Sequence, residues 1–330
     1  MHGVGIIGIG SVSTGHLRAV AALESTHLRA VADTDAERLA RVCAEYGCEG
    51  YASYEGLLAD EGVDLVIVCL PHGLHCEVTV AALEAGKHVL VEKPMAVNVE
   101  ECDAMIVAAQ RTGKQLSVGH MHRFSPTNRA VQKLLREQAV GGLVCLCDEA
   151  YRPFNPNRAA WYLDKATHGG LWYQNGIHLI DRSCWWTGSR VVAVKALIDS
   201  RFFEFSADDV AMALLQFENG VYSTLIHVWW RTGGTRFSTE FVCADGMLQL
   251  RRGIESGRND LFIGRDGDWE QVEVSEDHDT TTRQLGAFVE AIDAGTEPPV
   301  TAEYARHLVA VLTACMESSC LGREVVLQDS

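Results

Sequence analysis

The chain has 330 residues, 47% of them hydrophobic and 22% charged, and 28 Lys and Arg against 44 Asp and Glu give a net charge of −16. That length exceeds what one hydrophobic core usually spans, so two domains are expected, and the composition excludes a disordered chain. The acidic balance, with no basic stretch, argues against nucleic acid and membrane as partners and leaves a small molecule as the expected one.

From residue 3 to about 120, short apolar runs alternate with helical patterns, the signature of βαβ units around a parallel sheet. Strands are expected at Val4–Ile9, Leu28–Asp33, Asp64–Cys69, His88–Val91 and Gln115–Gly119. Apolar residues at helical spacing fill Val12–Glu24, Ala36–Tyr46, Gly73–Ala85 and Val99–Arg111. This reads as a doubly wound nucleotide-binding domain over residues 1–122. A second domain, 123–330, opens on a helix near Asn128–Gln138 and then changes to long strands with turn dipeptides at Asn219-Gly220, Asp245-Gly246 and Asp266-Gly267, which favour antiparallel hairpins. Val210–Phe217 and Val221–Trp230 are apolar on both alternating faces, so neither side of that sheet should meet water. Helices are expected on one face and a second subunit on the other. Helices at Thr280–Ala294 and Ala302–Leu321 close the chain.

Eleven cysteines are scattered through apolar segments, as expected for reduced, packed thiols of a cytoplasmic protein. Cys145-x-Cys147 has strand spacing but no second pair to complete a zinc site. No signal peptide or transmembrane stretch is evident in the sequence.

The chemistry concentrates in a few motifs. Gly8-Ile9-Gly10-Ser11-Val12-Ser13 follows a strand and opens a helix, the context of a dinucleotide fingerprint. Gly8 permits the tight turn, Gly10 lets backbone approach a pyrophosphate, and the helix N-terminus offers free N–H groups. Ser13 stands where a third glycine is usual. Asp33, twenty positions after Ser13, suits the ribose hydroxyls. No Arg or Lys among the next few residues would neutralise a 2′-phosphate, so NAD is favoured over NADP. Leu70, Pro71, His72 and His75 lie at the end of the Asp64–Cys69 strand, on the same carboxyl edge as the fingerprint. His72 or His75 could line a nicotinamide pocket, cap the helix or simply pack. Glu92-Lys93-Pro94 closes a later strand at that edge, where an ammonium could stabilise the charge developing on an alcohol oxygen, or form a solvated pair with Glu92. His178 begins a helix with Gln174 four residues before and Asp181 three after, on one face. Its intrinsic pKa of about 6.5 suits removal of a hydroxyl proton, although such a pair can also be structural. His120 and His122 share a strand face and with His178 could be imagined as zinc ligands, but no further ligand completes the set and no metal is expected.

These residues resemble the glucose-fructose oxidoreductase, inositol dehydrogenase and MocA family. The match runs from Gly8-Ile9-Gly10 through Pro71-x-x-x-His75, Gly86-Lys87-His88-Val89 and Glu92-Lys93-Pro94 to His168-Gly169-Gly170 and Gly176-Ile177-His178-Leu179-Ile180-Asp181. The resemblance implies a Rossmann domain followed by an α/β domain with a large open sheet, assembled through that sheet into dimers or tetramers. It implies a catalytic lysine at Lys93 and a catalytic histidine at His178. Many members carry Asp four residues before the histidine, where this chain has Gln174, followed by Asn175. Tyr151 and Arg152 lie where members reach toward substrate. The activity implied is NAD-dependent oxidation of a secondary alcohol of a sugar, polyol, inositol or related cyclic alcohol. The alternatives are a non-enzymatic NAD-binding regulator and a glycoside hydrolase that oxidises and re-reduces its sugar.

Overall fold

The structure is a computed structural model describing all residues except 156, 157, 232, 253–258, 275–278 and 328–330. Its first strand, β1 (His2–Ile7), is buried on both faces through Val4, Ile6 and Ile7, and so needs a layer on each side. The layers follow in chain order: α1 (Ser13–Ala22), β2 (Thr26–Ala32), α2 (Ala36–Tyr46), β3 (Glu49–Tyr51), α3 (Tyr54–Leu58), β4 (Leu65–Val68), α4 (His75–Glu84), β5 (His88–Val91), α5 (Val99–Thr112) and β6 (Leu116–Val118). The six strands are parallel in the order β3-β2-β1-β4-β5-β6. The chain therefore walks out from β1, jumps back over it and walks out the other way. At such a reversal the carboxyl ends of the two central strands part and leave a crevice for a ligand. Alternation along β4 splits the core, with Leu65 and Ile67 clustering with Leu17 and Val20 of α1, and Val66 and Val68 with residues of α4 and α5.

The second part comprises α6 (Pro126–Arg136), β7 (Leu143–Pro153), α7 (Ile177–Thr187), β8 (Val191–Asp199), β9 (Val210–Phe217), β10 (Tyr222–Trp230), β11 (Arg236–Cys243), β12 (Gly246–Arg252), β13 (Asn259–Arg265) and β14 (Asp268–Val272), before α8 (Thr280–Ala294), α9 (Ala302–Leu321) and β15 (Val325–Val326). Its nine-stranded sheet runs β14-β13-β12-β11-β7-β10-β9-β8-β15, antiparallel everywhere except between β7 and β10. The turn dipeptides sit between β9 and β10, β11 and β12, and β13 and β14. At the last of them both Asp266 and Gly267 have positive φ, 52° and 91°, as a tight two-residue hairpin requires. One face of the sheet is covered: α7 reaches it through Trp186 on Phe241, ring centroids 4.9 Å apart, and through Arg182 on Asp148. On β8, β9 and β10 the opposite side presents Leu197, Met212, Leu214 and Tyr222, 44–64% exposed.

Contacts divide the chain into two units, Met1–Phe124 with Asp279–Val309, and Ser125–His278 with Ala310–Ser330. A division by residue order at 122 would leave α8 in the second domain. Instead Leu285, Phe288 and Val289 of α8 share a core with α1, because a late helix can return to an early sheet without any local mark in the sequence.

The entry to α7 is held by an acid. Asp208 accepts the Trp172 N–H at 2.7 Å through its carboxylate and the Leu171 N–H at 2.9 Å through its carbonyl, while Gly170 (φ +99°) leaves no room for a Cβ against it. Burial raises the Asp208 pKa to about 6, opposed by the Trp172 N–H and assisted by Asp209. The folded value lies above the unfolded one of about 3.9, so the associated stabilisation is complete below that pH and is lost as pH rises through 6. Asp208→Asn keeps an acceptor for Trp172 without the charge. Between pH 4 and 7 the parent should lose about 2 kcal/mol of stability relative to this variant, measured by urea unfolding at both values.

Candidate functional site

The crevice begins where β1 ends. Gly8 has φ +85°, and a Cβ there would collide with the Cys69 carbonyl oxygen at the end of β4, so glycine is the residue this close approach tolerates. Gly10 differs. A Cβ on it would meet nothing within 4 Å among the described residues, so its open side is available to a ligand rather than filled by protein. Ser13, in the third glycine's place, is buried and donates its hydroxyl to the Gly10 carbonyl at 2.7 Å. A small residue fits there and also ties the turn. α1 starts at Val12 with no side-chain cap and no acidic residue in its first turn, while Ser11 and Val12 are exposed. Uncapped N–H groups beside an open glycine form a cradle suited to a pyrophosphate.

Asp33, just past β2, reaches back to this turn. Its Oδ2 accepts the Ile9 N–H at 2.9 Å and its Oδ1 the Asp35 N–H at 2.9 Å. Arg38 on α2 also donates to it, Nη1 to Oδ2 at 3.0 Å, and bonds Asp35 through Nη2 at 3.0 Å. The sequence reading found no cation near Asp33. The first turn of α2 brings one in from five residues downstream, because Asp35 caps that helix and aims the guanidinium back along it.

The loop after β4 carries Leu70, Pro71 and His72, the last buried in a short 3₁₀ turn, His72–Leu74. His75 is fully buried, with Nδ1 2.8 Å from the Pro94 carbonyl and Nε2 2.8 Å from the Leu70 carbonyl. Burial pulls its pKa down and the two carbonyls oppose that shift. With its nitrogens against two backbone carbonyls, His75 ties the loop after β4 to the loop after β5.

That second loop holds Glu92 and Lys93. Glu92 is half-buried beside Gly119, bonds His16 Nε2 at 2.8 Å through Oε1 and accepts the Lys93 N–H at 3.2 Å through Oε2. Burial pushes its pKa up, but the His16 hydrogen bond and charge, with Lys93, bring it below the usual value. Lys93 is half-buried at the carboxyl edge. His16, one turn into α1, went unnoticed in the sequence, since a lone buried histidine carries no local signal of its partner. His120 and His122 share no strand face: β6 ends at Val118, and His122 lies in the 3₁₀ turn Met121–Phe124. Among the described residues no group of three His, Cys, Asp or Glu side chains could hold a metal, and no helix is long and apolar enough to cross a membrane.

In the second unit, α7 is entered through a π-helical turn, Trp172–Gly176. Gly176 is needed there because a Cβ would strike the Trp172 ring. Gln174, His178 and Asp181 are all buried and Asn175 is half-buried. Gln174 lies in the wider turn, so regular α-helical spacing does not relate it to His178. Such insertions concentrate at functional sites. Arg182, one turn beyond His178, donates Nε at 3.0 Å and Nη2 at 2.7 Å to Asp148 Oδ2, fixing α7 on β7. Tyr151 and Arg152 are neighbours on a strand and point to opposite faces. Arg152 shares the Asp148 side beneath α7, whereas Tyr151 stacks on Trp230 at 5.7 Å, so the two cannot serve one side together.

Comparison with known proteins agrees with this architecture. A model of the GFO/IDH/MocA oxidoreductase family, NAD-binding Rossmann fold, matches residues 2–120, and one of the GFO/IDH/MocA C-terminal domain matches 128–249. The chain belongs to this family of oxidoreductases. It is similar to UDP-N-acetylglucosamine 3-dehydrogenase of Acidithiobacillus ferrooxidans, 34% identical over 67% of this chain and 65% of that protein. It is also similar to inositol 2-dehydrogenase of Corynebacterium glutamicum, 29% identical over 89% and 86%. The aldose-aldose oxidoreductase of Caulobacter crescentus, crystallised with glycerol, superposes with TM-score 0.89 at 25% identity over 99% of each chain. Four curated relatives, the first of these included, are matched over 57–65% of their own length.

Gly10 offers a clean test of the cradle. Gly10→Ala should leave the urea midpoint nearly unchanged, since the added Cβ meets no described residue within 4 Å, and weaken binding of the nicotinamide dinucleotide at least tenfold by calorimetry. Undiminished affinity would place the nucleotide elsewhere.

Proposed function

We propose that the chain is an NAD-dependent dehydrogenase oxidising a secondary alcohol of a sugar, polyol, inositol or related cyclic alcohol. The observation that carries this reading is Lys93, held at the carboxyl edge of the parallel sheet by a half-buried, His16-bonded Glu92, two strands from the open glycine turn. The relatives are named for an inositol, an aldose and a nucleotide sugar, which share a polyhydroxylated skeleton. When bound, the nicotinamide supplies the hydride acceptor. The protein's part is proton and charge. His178 takes the hydroxyl proton, a role worth about 10²–10⁴ in rate. Lys93 donates to the oxygen as negative charge grows on it. Gln174 cannot accept a proton, so no carboxylate relay runs from that position.

The cofactor preference follows from local charge. Asp33 and Asp35 against Arg38 leave one net negative charge, which repels a 2′-phosphate, while Asp33 retains an acceptor position for a ribose hydroxyl. NAD is the proposed cofactor for that reason rather than for a lack of nearby cations. The eleven cysteines form no disulfide among the described residues, which suits the reducing cytoplasm.

Lys93→Met and His178→Ala should each lower kcat about a hundredfold or more, followed as NADH absorbance with inositols, sugars, polyols and dihydrodiols, and the parent should use NAD with a higher kcat/KM than NADP. Unchanged turnover in both variants would remove the assignment. A second copy is proposed to cover Leu197, Met212, Leu214 and Tyr222 on the open sheet face. Light scattering should give a dimer or tetramer for the parent and a smaller species for the double variant Met212→Glu, Leu214→Glu.

A further inference from the structure

His227 and Trp229 stand two apart on β10, on the side that faces α7, for Ser223 in the same register bonds Ser183 of that helix at 3.2 Å. Both are 2% exposed. Neither ring nitrogen of His227, nor Nε1 of Trp229, has a hydrogen-bond partner among the described residues. Three orphaned buried atoms on one strand face demand an explanation, since a buried polar group left unbonded is destabilising. The residues directly opposite His227 are Ala150 on β7 and Ala211 on β9, so no long side chain caps the ring along the sheet. Arg152 lies opposite Trp229 on that same side. The π-helical turn that precedes His178 packs against β10, and Arg182, one turn after His178, is close enough for its charge to bear on His227. Burial first, then the charges of Arg152 and Arg182, pull the His227 pKa down to about 3, so the ring is neutral and offers one N–H.

The character of this group selects its ligand. Indole and guanidinium only donate, and a neutral imidazole donates through one nitrogen and accepts through the other. The carboxylate on that face, Asp148, has Oδ2 taken by Arg182 and Oδ1 by Thr239 at 3.0 Å. Donors outnumber the one acceptor nitrogen of the imidazole, so the set is complemented best by an anionic acceptor, with a neighbouring substrate hydroxyl serving the imidazole. Facing the donors, a hydroxyl brings a proton of its own, whereas an ionised carboxylate does not.

We propose that Arg152, His227 and Trp229 form a carboxylate-binding subsite, so that the substrate is a polyol or sugar that carries an acid group. This rests on the reading of the chain as a dehydrogenase of polyhydroxylated compounds and narrows it. No sequence pattern announces the subsite, because Arg152 on β7 meets His227 and Trp229 on β10 only through strand pairing.

The test uses the full chain with NAD present and calorimetry against D-glucuronate, D-galacturonate and D-gluconate, each paired with the matching aldose. At least one acid should bind tenfold or more tightly than its aldose. Trp229→Phe, which keeps the ring and removes only the N–H, should erase about tenfold of that preference while leaving the aldose affinity unchanged. His227→Leu should do the same. The subsite is overturned if no acid binds better than its aldose, including the case where neither binds, or if the folded variants weaken acid and aldose alike. Acid preference without any NADH formation would keep the subsite and discard the dehydrogenase reading. NADH formation from neutral sugars with no acid preference would do the opposite.

Discussion

The hydrogen bond between His16 and Glu92 is the joint of the first unit. It spans from the helix after β1 to the loop after β5, two strands away in the sheet, so the glycine turn and Lys93 cannot shift independently. A carboxylate largely shielded from water is costly unless bonded, and here one of the bonds that stabilise it comes from the Lys93 backbone N–H. His75 adds a second tie between the loops after β4 and β5, and Asp33 a third between β2 and the glycine turn. The carboxyl edge of the sheet is thereby pre-set in the free chain, which reduces what a bound dinucleotide must order.

The second unit applies the same economy on a sheet face. Asp208 fixes the start of the π-helical turn, Arg182 and Asp148 fix the far side of α7, and His178 sits between them. Among the described residues, the β10 side chains left unbonded on that face, His227 and Trp229, lie near Arg152 in an otherwise packed layer.

Much of this was legible in the sequence because parallel strands buried on both faces are continuous apolar runs and hairpins need dipeptides such as Asp266-Gly267. The motifs at Gly8, Gly10, Asp33 and Lys93 were readable for a similar reason: each depends on its position at a strand end. What escaped notice depends on partners distant in the chain. β3 has three residues, none buried, and so shows no periodicity. Arg38 and His16 take their meaning from Asp33 and Glu92. The extra residue in the turn before α7 disrupts the spacing that would have aligned Gln174 with His178, and α8 gives no hint that it packs on α1. For His75 the sequence leaves pocket, cap and packing open, because proximity to a sheet edge says nothing about which way a ring turns.

The central claim is that an alcohol carbon gives its hydride to NAD held at this carboxyl edge. Mass spectrometry of the nucleotide formed from NAD and ring-deuterated inositol, aldose or sugar acid tests it directly. The account expects NADH heavier by one deuterium from at least one substrate. NADH that forms without label, or a full panel that yields none while the protein binds NAD, would contradict it.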